Sequence, residues 1–325
     1  MRSNGKQVLT IVLAAVTAHA QDPEKTIYGC VDVGCPASTQ DSANDNCTVA
    51  GRSFPYVGIT RIPTSSEALT GLTWSKGFNI TGDNESVFGS SYYLGSPPDL
   101  DLSNTGACAI FFHGASRSIS FEPDTPNDEI DQGTCNDAIG SACVDALTAR
   151  ARNLDIGDGA SSEEVCARLR DDLEENMDDA CAAITGGPWS NQIAVALTGN
   201  GAPEPITSQQ NASSNCWPVT EKQNDLTLVS DYRIQGDGSI DDVYNAQWAI
   251  TPILTLFYPN GEGSLVDAAD ASLTCVKVMG PALASVDTMS NGTTGGEGGA
   301  ASLSISGSYY SVLIVLISSL ISLIA

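Results

Sequence analysis

Histidine is almost missing from this 325-residue chain: it has two, His19 and His113. No Cys-x-x-Cys, P-loop, dinucleotide fingerprint or His-Glu-x-x-His motif occurs. Positive charge is scarce as well, with 14 Lys and Arg against 39 Asp and Glu and a net charge of −25. That imbalance excludes nucleic acid as a partner, because phosphates need basic contacts. It equally disfavours adhesion to an anionic membrane surface. The acidic residues are spread along the chain, which favours solubility and self-repulsion on a crowded surface over one specific cationic partner.

The two ends are strongly patterned. Met1 to Lys6 carries two positive charges, an apolar run follows from Val8 to Val16, and Thr17-Ala-His-Ala20 supplies small residues for cleavage after Ala20. This predicts residues 1–20 as a signal peptide; the apolar run is too short to span a bilayer. Its removal leaves 12 basic residues against 39 acidic, about −27. At the other end, Tyr309 to Ala325 is apolar to the last residue and no Lys or Arg follows. A spanning helix ordinarily has a basic cytoplasmic flank. Gly298-Gly-Ala300, a short polar spacer and the apolar tail instead fit a glycosylphosphatidylinositol (GPI) attachment signal, with 301–325 removed and Gly298 as the attachment residue. Asn291-Gly-Thr293 is the alternative attachment site, and an uncleaved span is the competing reading. The expected location is the outer face of the plasma membrane or the cell wall.

The ten cysteines, Cys30, Cys35, Cys47, Cys108, Cys135, Cys143, Cys166, Cys181, Cys216 and Cys275, all lie between these ends. In an oxidising compartment an even set predicts five disulfides, with connectivity unreadable from sequence. Five N-glycosylation sequons, at Asn46, Asn79, Asn84, Asn211 and Asn291, agree with export. Asn79 and Asn84 are expected on one exposed turn, and Asn46 is crowded by Cys47.

Residues 21–283 form one predicted extracellular domain, long enough for a sizeable core. Strand patterns run over Leu72–Ile80, Val87–Leu94 and Ala107–His113, with Cys108, Ile110 and Phe112 on one face. A helical hairpin is predicted over about 134–184. Its second helix opens on the capping box Ser161-Ser-Glu-Glu164 and carries the stripe Cys166, Leu169, Leu173, Met177, Cys181, Ile184. An antiparallel pair would bring Cys135 to Cys181, with Cys143 and Cys166 as a second bridge. Strands resume at Gln192–Thr198, at Leu226–Ile234 with Leu226, Leu228, Tyr232 and Ile234 on one side, at Ile250–Tyr258 and at Leu273–Met279. Pro252 limits its strand to an edge or bulge at that point. The predicted fold is α+β, an antiparallel β-sandwich with an inserted, disulfide-stapled helical hairpin. Residues 284–300 read as a Gly/Ser/Thr stalk.

Chemistry is thin. Cys108-Ala-Ile-Phe-Phe-His-Gly-Ala-Ser116 resembles the strand and His-Gly loop of lipase and esterase oxyanion holes, yet no Gly-x-Ser-x-Gly elbow or second mature histidine accompanies it. A triad of His113 with Ser116 or Ser118 has only proximity in sequence behind it. Asp237 to Asp242 and Asp155 to Asp158 look calcium-like but lack the EF-hand placement of Gly and Glu. No two carboxylates stand out as a glycosidase pair. Neither a cofactor nor a metal site is predicted. Trp74 and Trp217, in polar, turn-rich surroundings, are the candidate sugar-stacking residues; Trp248 is assigned to the core and Trp189 to a turn.

At Cys108-Ala-Ile-Phe-Phe112, Gly133-Thr-Cys135 to Cys143, Cys166 to Cys181, Cys216-Trp-Pro218 and Ile250 to Pro259 the chain resembles a group of ascomycete fungal secreted or GPI-anchored surface proteins. The resemblance covers most of residues 100–280. It implies a fungal cell surface or wall and brings no catalytic residues. The expectation is therefore a non-catalytic surface or wall glycoprotein, membrane-attached through its anchor. A glycan-binding module contacting wall glycans is the alternative, and a wall-polysaccharide hydrolase ranks third.

Overall fold

The computed structural model describes residues 27–29, 47–81, 87–113, 115, 119–121, 132–157, 159–182, 192–219, 224–236 and 239–279. All of them belong to one compact unit, Met1–Asn291; the second unit, Gly292–Ala325, lies outside the described residues. Both predicted ends, the stalk and Gly298 therefore lie outside as well.

Among the described residues ten strands build the frame: β1 (Cys47–Val49), β2 (Arg52–Phe54), β3 (Tyr56–Arg61), β4 (Thr73–Thr81), β5 (Val87–Ser96), β6 (Thr105–Phe112), β7 (Gln192–Ala196), β8 (Asp225–Gln235), β9 (Thr251–Pro259) and β10 (Asp270–Val276). They form an antiparallel sheet in the order β3-β4-β5-β8, a second in the order β10-β9-β6-β7, and a small β1-β2 hairpin. The two large sheets pack face to face. Trp74 on β4 meets Phe111 on β6 edge-on at 5.4 Å, within an apolar layer that also holds Tyr92, Leu94, Ile253, Phe257 and Val276. The predicted sandwich is the observed one.

Each sheet is covered on its outer face too. Successive strand side chains point to opposite faces, so β6 sends Ala107, Ala109 and Phe111 inward and Cys108, Ile110 and Phe112 outward. Helices cover that outward set: α1 (Cys135–Ile139), α2 (Ser141–Arg152) and α3 (Ser162–Glu175). They lie in the chain between β6 and β7, which pair with each other, so the hairpin is an insertion between neighbouring strands. In α3 the Ser161 hydroxyl accepts from the Glu164 N–H while the Glu164 carboxylate accepts from the Ser161 N–H, the reciprocal cap that the sequence predicts. Cys166, Leu169 and Leu173 are buried beneath it; Ile184 lies outside the described residues. The other sheet carries the β1-β2 hairpin on its outer face, around Phe54, Tyr93 and Leu226.

The disulfides correct the expected stapling. Cys135 bonds Cys275 on β10, Cys108 on β6 bonds Cys166 on α3, Cys143 on α2 bonds Cys181, and Cys47 on β1 bonds Cys216. Cys135 does not reach Cys181. The reason is that α2 lies over β9 and β10 while α3 lies over β6 and β7. Two bridges therefore tie helices to the sheet below, and one closes the hairpin on itself. Cys30 and Cys35 lie outside the described residues.

Two strand expectations change in detail. β8 carries a bulge: Tyr92 pairs with Ser230 but Tyr93 pairs with Leu228, leaving Val229 extra. One inserted residue reverses the facing of all that follows. Leu226 and Leu228 consequently join the outer cluster, while Val229 and Tyr232 join the inner one. β9 is an interior strand, not an edge, but the β6 ladder ends at Phe111 and Ile253, so Pro252 has a neighbour only in β10.

Candidate functional site

Between the sheets, at the end of the sandwich where β9 begins, the packing opens. Cross-strand pairs on one face of a sheet lie side by side, and the inward rows here read Trp74–Leu94, Lys76–Tyr92 and Phe78–Ser90 across β4 and β5. Across β5 and β8 they continue as Tyr92–Ser230, Ser90–Tyr232 and Phe88–Ile234. The inner face is thus apolar at Trp74 and polar two residues on. A cavity of about 100 Å³ occupies this region, where one water needs roughly 10–15 Å³. Its walls include Phe78, Phe88, Ile234 and Ile250, with Lys76, Ser90, Tyr92, His113 and Tyr232 adding polar atoms. The helix α5 (Ile240–Gln247), following α4 (Ser208–Ala212), closes one side with Asp242, Asn245 and Ala246. Gly236 leads into it; a Cβ there would sit 2.3 Å from the Phe88 ring, so only glycine lets the chain pass.

Lys76 is the unusual member. It is 1% exposed in the middle of a strand, and no carboxylate among the described residues forms an ion pair with it. Its Nζ donates to the Ala249 carbonyl at 2.7 Å and, more weakly, to Thr251 Oγ1 at 3.4 Å. Thr251 Oγ1 also shares a hydrogen bond with the Tyr92 hydroxyl at 2.8 Å. Burial, reinforced by the positive charge of Lys277, lowers the Lys76 pKa from 10.5 to about 7. Burial raises that of Tyr92, which stays a phenol. The site consequently offers an amine that is substantially uncharged near neutrality, beside two hydroxyls.

His113 follows β6 and stacks flat on Tyr232, with 4.0 Å between ring centroids and 3° between planes. Its Nε2 is buried without a hydrogen-bond partner. Burial, then the nearby Lys76, depresses its pKa to about 3. A catalytic histidine oriented by a carboxylate would shift the other way. Ser116 and Ser118 lie outside the described residues, so the triad reading gains no geometry.

The sugar-stacking expectation for Trp74 is overturned. Its ring is fully buried between the sheets and its Nε1–H donates to Thr255 Oγ1 at 3.0 Å. Alternation on β4 sends it inward, and polar neighbours in sequence point the other way. Trp217 is half-buried, donating to the Asn224 carbonyl at 2.8 Å. Trp248 is buried, as expected, and Trp189 lies outside the described residues. Among the sequons, Asn211 is exposed on α4. Asn79 is not on a turn but within β4, half-buried, its side chain lying over Gly89. Asn46, Asn84 and Asn291 lie outside the described residues. Of the calcium-like runs, Asp158 and Asp237 also lie outside, and the Asp155 and Ile156 carbonyls accept from the Arg168 guanidinium. Among the described residues no three His, Cys, Asp or Glu side chains gather as a metal set.

Sequence reasoning missed Lys76, Tyr92 and Tyr232. One signal was there to be found: the alternation Trp74, Lys76, Phe78 sets a cation at a core-facing position of a strand. No family model, curated protein or solved structure matches the chain.

Proposed function

We propose that this chain is an exported glycoprotein, held at a cell surface or wall by a GPI anchor attached at Gly298, whose sandwich is a non-catalytic scaffold. The observation that carries this reading is the disulfide pattern. Bridges joining residues 169 and 140 positions apart cross-link the β1-β2 hairpin and the helical layer to the sandwich. Such bridges persist in oxidising compartments and are rare in the cytosol. The signal-like start, the sequons and the apolar tail point the same way, as does the resemblance to ascomycete surface proteins.

The hydrolase alternative finds little support at the inter-sheet cavity, since a glycosidase needs two opposed carboxylates and among the described residues the wall carries one, Asp242. Glycan binding now rests on Trp217 without Trp74. Expression of the full chain in a fungal host tests the proposal. Phosphatidylinositol-specific phospholipase C is expected to release a glycosylated product from membranes. Retention after the same treatment, in membranes from which a known GPI protein is released, overturns the anchor and favours a spanning tail.

A further inference from the structure

We propose that the inter-sheet cavity captures a small aldehyde or ketone as a Schiff base on the Nζ of Lys76. A lysine ammonium sealed from water without a carboxylate is expensive, and a core position would ordinarily take Leu or Met. Lys76 nonetheless stands on the inward row between Trp74 and Phe78, where it lines the cavity with its Nζ 5.9 Å from the centre of the Tyr92 ring. Its two acceptors, the Ala249 carbonyl and Thr251 Oγ1, can be served by the two hydrogens of a neutral amine. That leaves the nitrogen lone pair for an electrophile.

A desolvated lysine with a second cation nearby is the environment that turns the side chain into a carbonyl nucleophile. Here burial supplies the desolvation and Lys277 the second charge. The walls select the ligand class. Phe78, Phe88, Ile234 and Ile250 suit an apolar body, and Tyr232 adds an aromatic ring. A carboxylate ligand would meet Asp242 on the wall and a chain of net charge −25. A neutral carbonyl compound meets neither obstacle.

The chemistry balances without any further reagent. The amine lone pair attacks the carbonyl carbon, the C=O π pair moves to oxygen, and a proton passes from nitrogen to oxygen to give the carbinolamine. Loss of that oxygen as water, with the second amine proton, leaves the C=N bond. The Tyr92 hydroxyl and the unpartnered His113 Nε2 are the groups on the wall that can donate to or accept from the carbinolamine oxygen.

Benzaldehyde with cyanoborohydride provides the test, because reduction fixes an imine as a stable benzyl-lysine. The chain has five lysines, Lys6, Lys25, Lys76, Lys222 and Lys277, so peptide mapping of the secreted protein locates the adduct unambiguously. At pH 7 Lys76 is expected to be modified more than about tenfold faster than Lys25 or Lys222, an ordinary amine in water being almost wholly protonated there. In urea that preference should vanish. The Lys76→Met protein, with its fold verified by thermal melting, should lose the fast adduct and keep the slow ones. Modification of Lys76 at or below the rate of Lys25 in the folded protein overturns the proposal. So does protection of the fold by benzoate, but not benzaldehyde, in a Lys76-dependent way, since that marks an anion pocket. Neither outcome depends on how the protein is anchored.

Discussion

Tyr232 and His113 lie ring on ring, 4.0 Å apart, although they come from different sheets and 119 positions separate them in sequence. The contact exists because the bulge at Val229 turns Tyr232 inward. It forms one wall of the cavity and leaves a half-buried imidazole whose enclosed Nε2 has no hydrogen-bond partner among the described residues.

From that burial follows an acid sensitivity. The folded-state pKa of His113 is about 3, below its ordinary 6.5, so the unfolded chain takes up the proton first as pH falls. His113 therefore leaves stability unaffected above 6.5 and lowers it between 6.5 and 3. Urea midpoints measured from pH 7 to 4 should fall less steeply for His113→Phe than for the parent chain. Equal slopes in the two proteins would show that His113 does not carry the effect.

Lys76 acts in a higher window. Its folded pKa of about 7 lies below 10.5, so the unfolded chain binds the extra proton between those values, and stability drops as pH falls from 10.5 to 7. The shift corresponds to roughly 5 kcal/mol in full, an upper bound. Lys76→Met should thus be more stable than the parent at pH 7 despite the orphaned Ala249 carbonyl, and nearly flat over this window. Calorimetry at pH 7 and 9.5 checks both expectations.

Trp74→Ala is expected to behave as a core deletion, costing about 3–5 kcal/mol, since the ring is fully buried and its N–H is bonded to Thr255. Trp217→Ala removes a half-buried ring and should cost less. Equilibrium urea unfolding separates the two. A Trp74 variant of unchanged stability would contradict the inter-sheet placement.

Peptide mapping of the unreduced protein should recover Cys47–Cys216, Cys108–Cys166, Cys135–Cys275 and Cys143–Cys181. A Cys135–Cys181 peptide would restore the simple hairpin staple. Replacing Cys135 and Cys275 together by Ala is expected to destabilise by about 2–5 kcal/mol, the usual consequence of losing a native bridge.

Glycan mapping distinguishes the sequons. Asn211 is exposed on α4 and should be occupied. Asn79 is half-buried within β4 and its Nδ2 donates to the Ser53 carbonyl at 3.4 Å, a contact that a glycan would break. It should be recovered unmodified.

Much of this architecture was legible in local pattern. The alternation in Ala107–His113 separates the faces of β6, and the Ser161–Glu164 cap marks the start of α3, because both are set by residues within a few positions of each other. The site was less so. Lys76 breaks an inward row, which is visible once the strand's facing is known, but a lone lysine in a weak strand pattern does not announce a cavity. Alternation alone places Tyr232 on the face of Leu226, because a bulge leaves no mark in the pattern it interrupts.

By itself the sequence determined seven of the longer strands, the insertion of helices among strands, the acidic balance and an even set of ten cysteines. These depend on short-range periodicity and on composition. Only the tertiary structure decided which cysteines meet, that Trp74 is core, and that Lys76, Tyr92, His113 and Tyr232 converge. Those outcomes depend on sheet order and register, which bring together residues from β4, β5, β8 and the end of β6 that no local pattern relates.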